Sequence, residues 1–458
     1  MFNRNVCSLM MVCLGSVSLM GCDSIDGDSD DDSDSVAYVQ YYNASANSTA
    51  TSLVLDDYEY SYIEFGDSMP RYGYDTGSVA MEIYGQDENE DTVTIYSEDM
   101  SFSNEDNHLF VLYGDYQSPE LLDISYERSD MDDMNDDDDD DEDYSKMQVL
   151  VANVTSEDMA YDAYISLDSD EYQDATMLGS IGYRGYTTEL MLDTDEYIIY
   201  LTDQGTDNVV YTTESMSLTT ETVYKFVLRN SFGSGDLKVT LDSVDSTSTP
   251  VTYTNIDSTA DFRVFNGLED ITLNVDVVSK LESHYLHDIT PFTVSDFQQT
   301  GFNDYGVTVT NTDTSEVILD NVLVTFNQDD IRTLLLYQED DSIKGMVIEH
   351  DMRPRAYEYN VDVANLSEDY DDLTVYFVNS TETIESAEYT IEDIDFTEQE
   401  SLVMPQDDYE INVVYESDNG TQTLLYQSDL ITFDGDTNYS FVLTKDSESQ
   451  FGYTLHQL

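Results

Sequence analysis

The stretch Val149-Leu-Val-Ala-Asn153 decides the fold of this chain. Its residues favour an alternating β-strand that ends in Asn. Similar strands that end in Asn recur roughly 100–115 residues apart, the size of a small domain, at Val39–Asn43, Phe262–Asn266 and Val361–Asn365. The recurrence predicts four copies of one β-domain.

Further landmarks follow each Asn in the same order. A hairpin-like pair of apolar runs comes first, then a short strand such as Met216-Ser-Leu218, and finally a strongly apolar strand. These apolar strands are Leu109–Tyr113, Tyr224–Leu228, Leu334–Tyr337 and Tyr439–Leu443. Landmarks that match in a fixed order indicate internal duplication.

The pattern within each block favours strands throughout. Apolar residues repeat with a period of two, and Val, Ile, Thr, Tyr and Phe are abundant. About seven short strands per block, spaced roughly 8–12 residues apart, are typical of an antiparallel sandwich. We therefore predict an all-β chain of tandem Ig-like antiparallel β-sandwiches joined by acidic linkers. Leu281–Leu286 is the one segment that could form a helical turn.

Changes in composition predict the domain boundaries. An Asp-rich stretch with the run Asp136 to Asp141 separates the first two blocks, and a Ser- and Thr-rich stretch with Pro250 separates the next two. A short turn, Met352–Arg355, joins the last two and suggests a rigid pair. The predicted units are a signal peptide (1–21), a disordered acidic tether (22–36), sandwiches at 37–128, 147–244, 261–353 and 356–458, an acidic linker (129–146) and a Ser/Thr linker (245–260).

The first residues resemble a lipoprotein leader. One charge, Arg4, precedes an uncharged run of about 15 residues, shorter than the roughly 20 that span a bilayer and typical of a signal peptide. Leu19, Gly21 and Cys22 resemble the bacterial lipobox, in which the Cys sulfur takes diacylglycerol and its amine is acylated. We expect lipidation at Cys22 and anchoring to the outer membrane or to the periplasmic face of the inner membrane. An ordinary signal peptide is the alternative.

The repeat resembles a known module. The Asn-terminated first strand and the later apolar strand are similar to Ig-like modules called domain of unknown function 4397, which occur in tandem in bacterial envelope lipoproteins. Those modules usually carry an Ala-Ser-Pro triplet after the Asn; Ala44-Ser45 approximates it, and Gly267 departs from it. The resemblance implies β-sandwiches without catalytic residues.

The charge excludes one class of partner. The chain has 98 Asp and Glu residues against 15 Lys and Arg, a net charge of −83. Nucleic-acid binding requires Lys and Arg to displace counterions from phosphates, so we exclude nucleic acid as a partner. Adaptation to salty surroundings or diffuse cation binding would explain the acidity.

Candidate catalytic residues are few. Cys7 and Cys13 would leave with the signal peptide and Cys22 would be acylated, so the mature chain would have no free thiol. Phe65-Gly-Asp-Ser68 is similar to the nucleophile block of GDSL esterases, but the Asp-x-x-His that would supply the base is absent. A turn explains the motif better, and we predict no catalytic site.

Metal ligands are equally sparse. His284 and His287, beside Asp288, could bind zinc or copper if they lay on a helical turn, but no motif supplies further ligands. The stretches 434–438 and 26–30 begin like calcium-binding EF-hand loops and then lack the required Gly and Glu. We predict no metal and no cofactor.

These observations predict a non-enzymatic, lipid-anchored cell-envelope protein whose sandwiches act as spacer or interaction domains. It would contact the membrane through Cys22, and its protein or glycan partner cannot be read from the sequence. The alternative is a calcium- or glycan-dependent adhesive or ligand-binding surface lipoprotein. Most Tyr residues alternate along strands, where packing explains them, and the lack of Trp weakens the glycan alternative.

Overall fold

The computed structural model describes residues 35–128, 145–155, 159–417, 419–435 and 437–458. The predicted signal peptide, Cys22, nearly all of the tether and nearly all of the acidic linker 129–146 lie outside these ranges. Val36 and Lys146, at the ends of the predicted tether and linker, each begin a strand. The described residues form strands and two short 3-10 turns, Tyr172–Asp174 and Ile384–Ser386. No helix among them is long and apolar enough to cross a membrane. The protein is all-β, as predicted.

The first sandwich consists of two four-stranded sheets, with strand orders β4-β1-β7-β8 and β3-β2-β5-β6. We call the sheet that holds the Asn-terminated strand the first-strand sheet and the other the hairpin sheet. The strands are β1 (Val36–Asn43), β2 (Ser52–Leu55), β3 (Tyr58–Glu59), β4 (Tyr72–Asp75), β5 (Gly77–Gln86), β6 (Thr92–Phe102), β7 (Asn107–Tyr113) and β8 (Glu120–Tyr126).

The second sandwich has ten strands. Its first-strand sheet has the order β12-β9-β16-β17-β18, and its hairpin sheet has the order β11-β10-β13-β14, with β15 also paired to β13. The strands are β9 (Lys146–Asn153), β10 (Tyr161–Leu167), β11 (Thr176–Ile181), β12 (Leu190–Asp193), β13 (Asp195–Asp203), β14 (Val209–Thr212), β15 (Met216–Leu218), β16 (Val223–Asn230), β17 (Val239–Val244) and β18 (Val251–Tyr253).

Strand β18 corrects part of the predicted Ser/Thr linker 245–260. Val251–Tyr253 pairs with β17, and Tyr253 is buried in the core of the second sandwich. Ser- and Thr-rich composition favours a linker, but β-branched Val and Thr with an aromatic residue also favour an edge strand. The segment before β18 contacts the first sandwich, because the Gln40 side chain donates to the Asp245 carbonyl at 2.6 Å.

The third and fourth sandwiches repeat the eight-stranded arrangement of the first. Their first-strand sheets have the orders β22-β19-β25-β26 and β30-β27-β33-β34, and their hairpin sheets have the orders β21-β20-β23-β24 and β29-β28-β31-β32. The strands of the third are β19 (Ala260–Asn266), β20 (Leu273–Val278), β21 (Ser283–Ile289), β22 (Gln298–Thr300), β23 (Asn303–Asn311), β24 (Val317–Phe326), β25 (Ile331–Glu339) and β26 (Ser342–Glu349). Those of the fourth are β27 (Glu358–Asn365), β28 (Leu373–Asn379), β29 (Tyr389–Ile394), β30 (Gln399–Pro405), β31 (Asp407–Glu416), β32 (Gln422–Phe433), β33 (Tyr439–Lys445) and β34 (Tyr453–Gln457).

Two details differ from the sequence-based expectation. Each sandwich has eight or ten strands rather than about seven, because short edge strands such as β3 and β4 were not recognised. The segment Leu281–Leu286 forms no helical turn, since residues from Ser283 onward belong to β21 and pair with β20.

Each first-strand sheet contains one parallel pair in an otherwise antiparallel arrangement. The Asn-terminated strand lies parallel to the strongly apolar strand, in the same register in all four sandwiches. In every sandwich, the Asn that ends the first strand is the register partner of a Leu on the apolar strand. The four pairs are Asn43 with Leu112, Asn153 with Leu228, Asn266 with Leu336, and Asn365 with Leu443. A parallel pair requires a long crossover, and the strands of the hairpin sheet provide it.

The strand-ending Asn has a structural function. The Asn266 side-chain amide donates to the carbonyls of Ile271 at 2.7 Å and Ile289 at 2.9 Å, and its oxygen accepts from the Leu268 N–H at 3.1 Å. The other three sandwiches repeat the link to an Ile carbonyl, at Ile63, Ile181 and Ile394. Because this Ile belongs to the hairpin side, the buried Asn ties the two sheets together.

The first-strand sheets of the first and second sandwiches pack face to face. Tyr42, Leu109 and Val111 of the first sandwich share one buried cluster with Leu150 and Val227 of the second. These strands are therefore buried on both faces, which explains why they read as continuous apolar runs.

The third and fourth sandwiches form a second pair of the same kind. Phe265 and Leu335 of the third sandwich pack against Ala364, Leu366 and Val442 of the fourth. Each pair thus consists of four stacked sheets, with its apolar interface in the middle.

Candidate functional site

Ser68 of the esterase-like motif is a structural residue. It is buried, and its hydroxyl donates to the carbonyl of Thr247, in the segment before β18, at 3.0 Å. His108, the one histidine of the first sandwich, bonds through Nδ1 to Asp123 at 2.8 Å. The motif therefore forms a turn against the second sandwich, as the turn interpretation anticipated.

The side chains of His284 and His287 do not point toward a common metal site. His284 and His287 lie on β21, where residues three apart point to opposite faces. His284 Nε2 contacts the Thr300 hydroxyl at 2.9 Å, whereas His287 is exposed. No group of three His, Cys, Asp or Glu side chains within the described ranges is arranged to hold a metal ion. Of the EF-hand-like stretches, Asp436 and residues 26–30 lie outside those ranges.

A charged network lies at the interface of the first two sandwiches, where no motif of the sequence predicts one. Asp242 is fully buried on β17 and binds Arg229 of β16, with Arg229 Nε 2.5 Å from Asp242 Oδ2. Tyr42 of the first sandwich donates to the same carboxylate, and Thr252 Oγ1 donates to it at 2.7 Å. The buried charge is thus paired and hydrogen-bonded, as a buried charge must be.

A buried lysine lies at the same interface. Lys225 is 1% exposed and donates to the Asp245 carbonyl at 3.1 Å. Burial lowers the pKa of the Lys225 ammonium to about 7; the charge of Asp245 opposes this shift, and Arg71 and Arg128 reinforce it. Three basic side chains, Lys225, Arg71 and Arg128, are therefore near one another in a chain that has only 15 Lys and Arg residues.

Two cavities open where sandwiches meet. One, of about 630 Å³, is lined by Tyr38, Arg71 and Arg128 of the first sandwich and by residues 220–222 of the second. The other, of about 590 Å³, lies beside Phe65, with Arg229 and Arg353 4.6 and 5.0 Å from the ring centre. Both contain guanidinium groups and carboxylates together, which is typical of polar contacts between domains.

Exposed tyrosines gather at one open edge of the first sandwich. Tyr60 stacks on Tyr72 with ring centres 5.5 Å apart and meets Tyr58 edge-on at 4.8 Å. Tyr58 and Tyr72 are 61% and 45% exposed, although both are aromatic. Tyr74 follows on β4, and its hydroxyl donates to the Leu55 carbonyl at 3.2 Å. We call Tyr58, Tyr60, Tyr72 and Tyr74 the tyrosine platform.

The platform spans both sheets, because β3 is the edge of the hairpin sheet and β4 is the edge of the first-strand sheet. Burial raises the pKa of Tyr60 to about 12, and the neighbouring Tyr58, Tyr74 and Tyr72 reinforce the shift, so these phenols stay neutral at physiological pH. Sequence reasoning assigned alternating tyrosines to packing. That holds for Tyr41 and Tyr224, which are buried, and for Tyr60 and Tyr74, which pack against the core, but not for the exposed Tyr58 and Tyr72.

Comparison with known proteins adds little to this description. No protein-family model and no curated protein matches the chain. Among solved structures, the Bacillus anthracis TIE protein is 8% identical and matches over 86% of this chain and 68% of its own, with a TM-score of 0.15. BcpA, the major pilin subunit of Bacillus cereus, is 12% identical over 65% of this chain and 97% of its own, with a TM-score of 0.13. At these TM-scores neither likeness carries an argument, and the tandem β-sandwich fold rests on the chain's own sheets.

Proposed function

We propose that this chain is a non-enzymatic, lipid-anchored protein of the bacterial cell envelope, with tandem modules related to domain of unknown function 4397. Its sandwiches act as an interaction scaffold held at the membrane by Cys22. The observation that carries the scaffold role is the face-to-face packing of first-strand sheets, as where Leu335 of the third sandwich meets Val442 of the fourth. Such shared cores favour a rigid arrangement of the modules over modules joined by flexible linkers.

The polar groups at the interfaces fit the same role. Arg229 and Asp242 form an ion pair, and both form hydrogen bonds with the Tyr42 hydroxyl across the first interface. Ser231 of the second sandwich donates to Asp329 of the third at 2.7 Å. These buried contacts connect modules and leave no free nucleophile–base pair among them, which supports a binding role rather than catalysis.

Lipidation is tested by palmitate labelling and membrane fractionation of the full chain in a bacterial host. We expect Cys22→Ser to lose the label and to leave the membrane fraction, because the thioether can no longer form. Cys13→Ser, a change inside the leader, is the matched control and should keep both. A Cys22→Ser protein that stays labelled and membrane-bound would overturn the anchoring proposal.

The scaffold role is tested by cross-linking on intact cells followed by identification of the captured proteins. We expect a defined partner that is captured with the wild-type chain and lost with Cys22→Ser. The absence of any enriched partner, or turnover of esterase substrates that Ser68→Ala abolishes, would contradict a non-enzymatic scaffold.

A further inference from the structure

We propose that the tyrosine platform of the first sandwich binds a Lys- or Arg-rich segment of a partner protein. This inference deepens the proposed scaffold function and depends on it, because it names the surface and the chemistry of the interaction. The juxtaposition that points to it is a set of four tyrosine rings, two of them exposed, together with neighbouring exposed carboxylates that lack ion-pair partners in the described structure.

The rings are held in place but left open to solvent. Tyr60 is half-buried and packs against the core of the first sandwich, so it fixes the positions of Tyr58 and Tyr72. Tyr74 is fixed by hydrogen bonds from its hydroxyl to the Leu55 carbonyl and to Asp56 Oδ2, at 3.2 and 3.1 Å. A preorganised aromatic surface of this kind costs little entropy when a ligand binds.

The charge around the rings selects the ligand. Asp56 and Asp57 precede the platform on the chain, Glu59 lies within it and Asp75 follows it. All four are exposed, and none forms an ion pair with a cation of the described residues. The local potential is therefore strongly negative, which repels acidic ligands and attracts cations.

Aromatic faces and carboxylates together match an ammonium or guanidinium group on an apolar stem. A cation over a tyrosine ring gains a cation–π interaction, and the stems of Lys and Arg can lie along the exposed rings. Arg gains further from its planar group, which stacks on rings and bonds carboxylates bidentately. A neutral sugar could stack on Tyr58 and Tyr72 and donate hydroxyl hydrogen bonds to the carboxylates, but it has no charge that the negative potential would attract.

The test is titration of the full-length protein with a synthetic Arg-Gly repeat peptide at physiological ionic strength, measured by calorimetry. We expect Tyr58→Ala combined with Tyr72→Ala to weaken binding about 5- to 30-fold, the loss of two exposed cation–π contacts. The matched control is Tyr285→Ala, which removes a 60% exposed tyrosine from β21 of the third sandwich and should bind like the wild type. All of these variants keep the net charge, so diffuse attraction is unchanged.

A second double variant distinguishes a loss of ring stacking from a loss of folding. Tyr58→Phe combined with Tyr72→Phe keeps both rings, and we expect its affinity to stay near that of the wild type. Wild-type affinity in the double Ala variant would show that diffuse charge alone binds the peptide and would overturn the inference. Tighter binding of maltohexaose than of the peptide, lost in the double Ala variant, would overturn the cationic assignment. If the peptide titration contradicts the inference while Cys22 still anchors the protein, the proposed scaffold function is unaffected.

Discussion

At the scale of single residues, the strand-ending asparagines explain why the repeat is visible in the sequence. Asn has both a donor and an acceptor, and the buried site uses both: Asn365 donates to the carbonyls of Tyr370 and Ile394 and accepts from the Ser367 N–H. Ser or Asp could not supply two donors from one side chain. The residue type is therefore fixed by hydrogen-bond geometry at the junction of two sheets.

Replacing one of these asparagines tests that explanation. We expect Asn266→Ala to lower the free energy of unfolding by about 2–4 kcal/mol, because the carbonyls of Ile271 and Ile289 and the N–H of Leu268 lose their partner in a buried site. Denaturant unfolding measures the change. The control is Asn303→Ala, whose side chain accepts one exposed bond from Asp304 N–H. Equal losses in the two variants would contradict the structural role.

At the scale of secondary-structure elements, the central strands are buried on both faces. On β25, Leu336 points into the third sandwich and Leu335 points into the interface with the fourth, and both are fully buried. A lone sandwich would bury only one of the two. The strands at the middle of each pair therefore belong to two cores at once.

A comparison of neighbouring leucines tests this arrangement. Leu335→Ala and Leu336→Ala should each cost about 2–5 kcal/mol, since each leaves a cavity in a closed core. Leu323→Ala, at a 69% exposed leucine on β24, should change stability little. Unfolding in denaturant gives all three values. If Leu335→Ala behaves like Leu323→Ala, the third and fourth sandwiches are not packed together in solution.

The same strands show how far the sequence could predict the structure. Their apolar runs correctly predicted strands at the positions of β7, β16, β25 and β33. The second buried face could not be predicted, because a period of two or a continuous run does not reveal what covers each face. The exposed rings of the tyrosine platform could not be predicted for the same reason, since Tyr58 and Tyr60 alternate on the chain just as core tyrosines do. The Arg229–Asp242 pair could not be predicted from a sequence pattern, because the two residues are brought together only by the register in which β16 pairs with β17.

At the scale of the whole molecule, charge opposes the packing of four sandwiches. Few cations are available, and several are placed at contacts between modules, as Arg229 and Lys225 are at the first interface. The remaining surface carries most of the net charge of −83. Apolar interfaces must therefore hold modules together against mutual repulsion, and screening of that repulsion should stabilise the assembly.

Salt dependence tests this balance. Raising sodium chloride from about 0.01 M to about 1 M shortens the screening length from roughly 30 Å to roughly 3 Å. We expect the melting temperature to rise by roughly 5–10 °C, equivalent to about 2–3 kcal/mol for a packed pair of sandwiches. Differential scanning calorimetry measures the shift, and calcium chloride at matched ionic strength is the control. Calcium should add little, because the EF-hand-like stretches 26–30 and 434–438 are not followed by the Gly and Glu that such a loop requires. A flat response to sodium chloride would show that repulsion between modules is negligible, whereas a large, saturable rise with millimolar calcium would place a specific ion site in the protein.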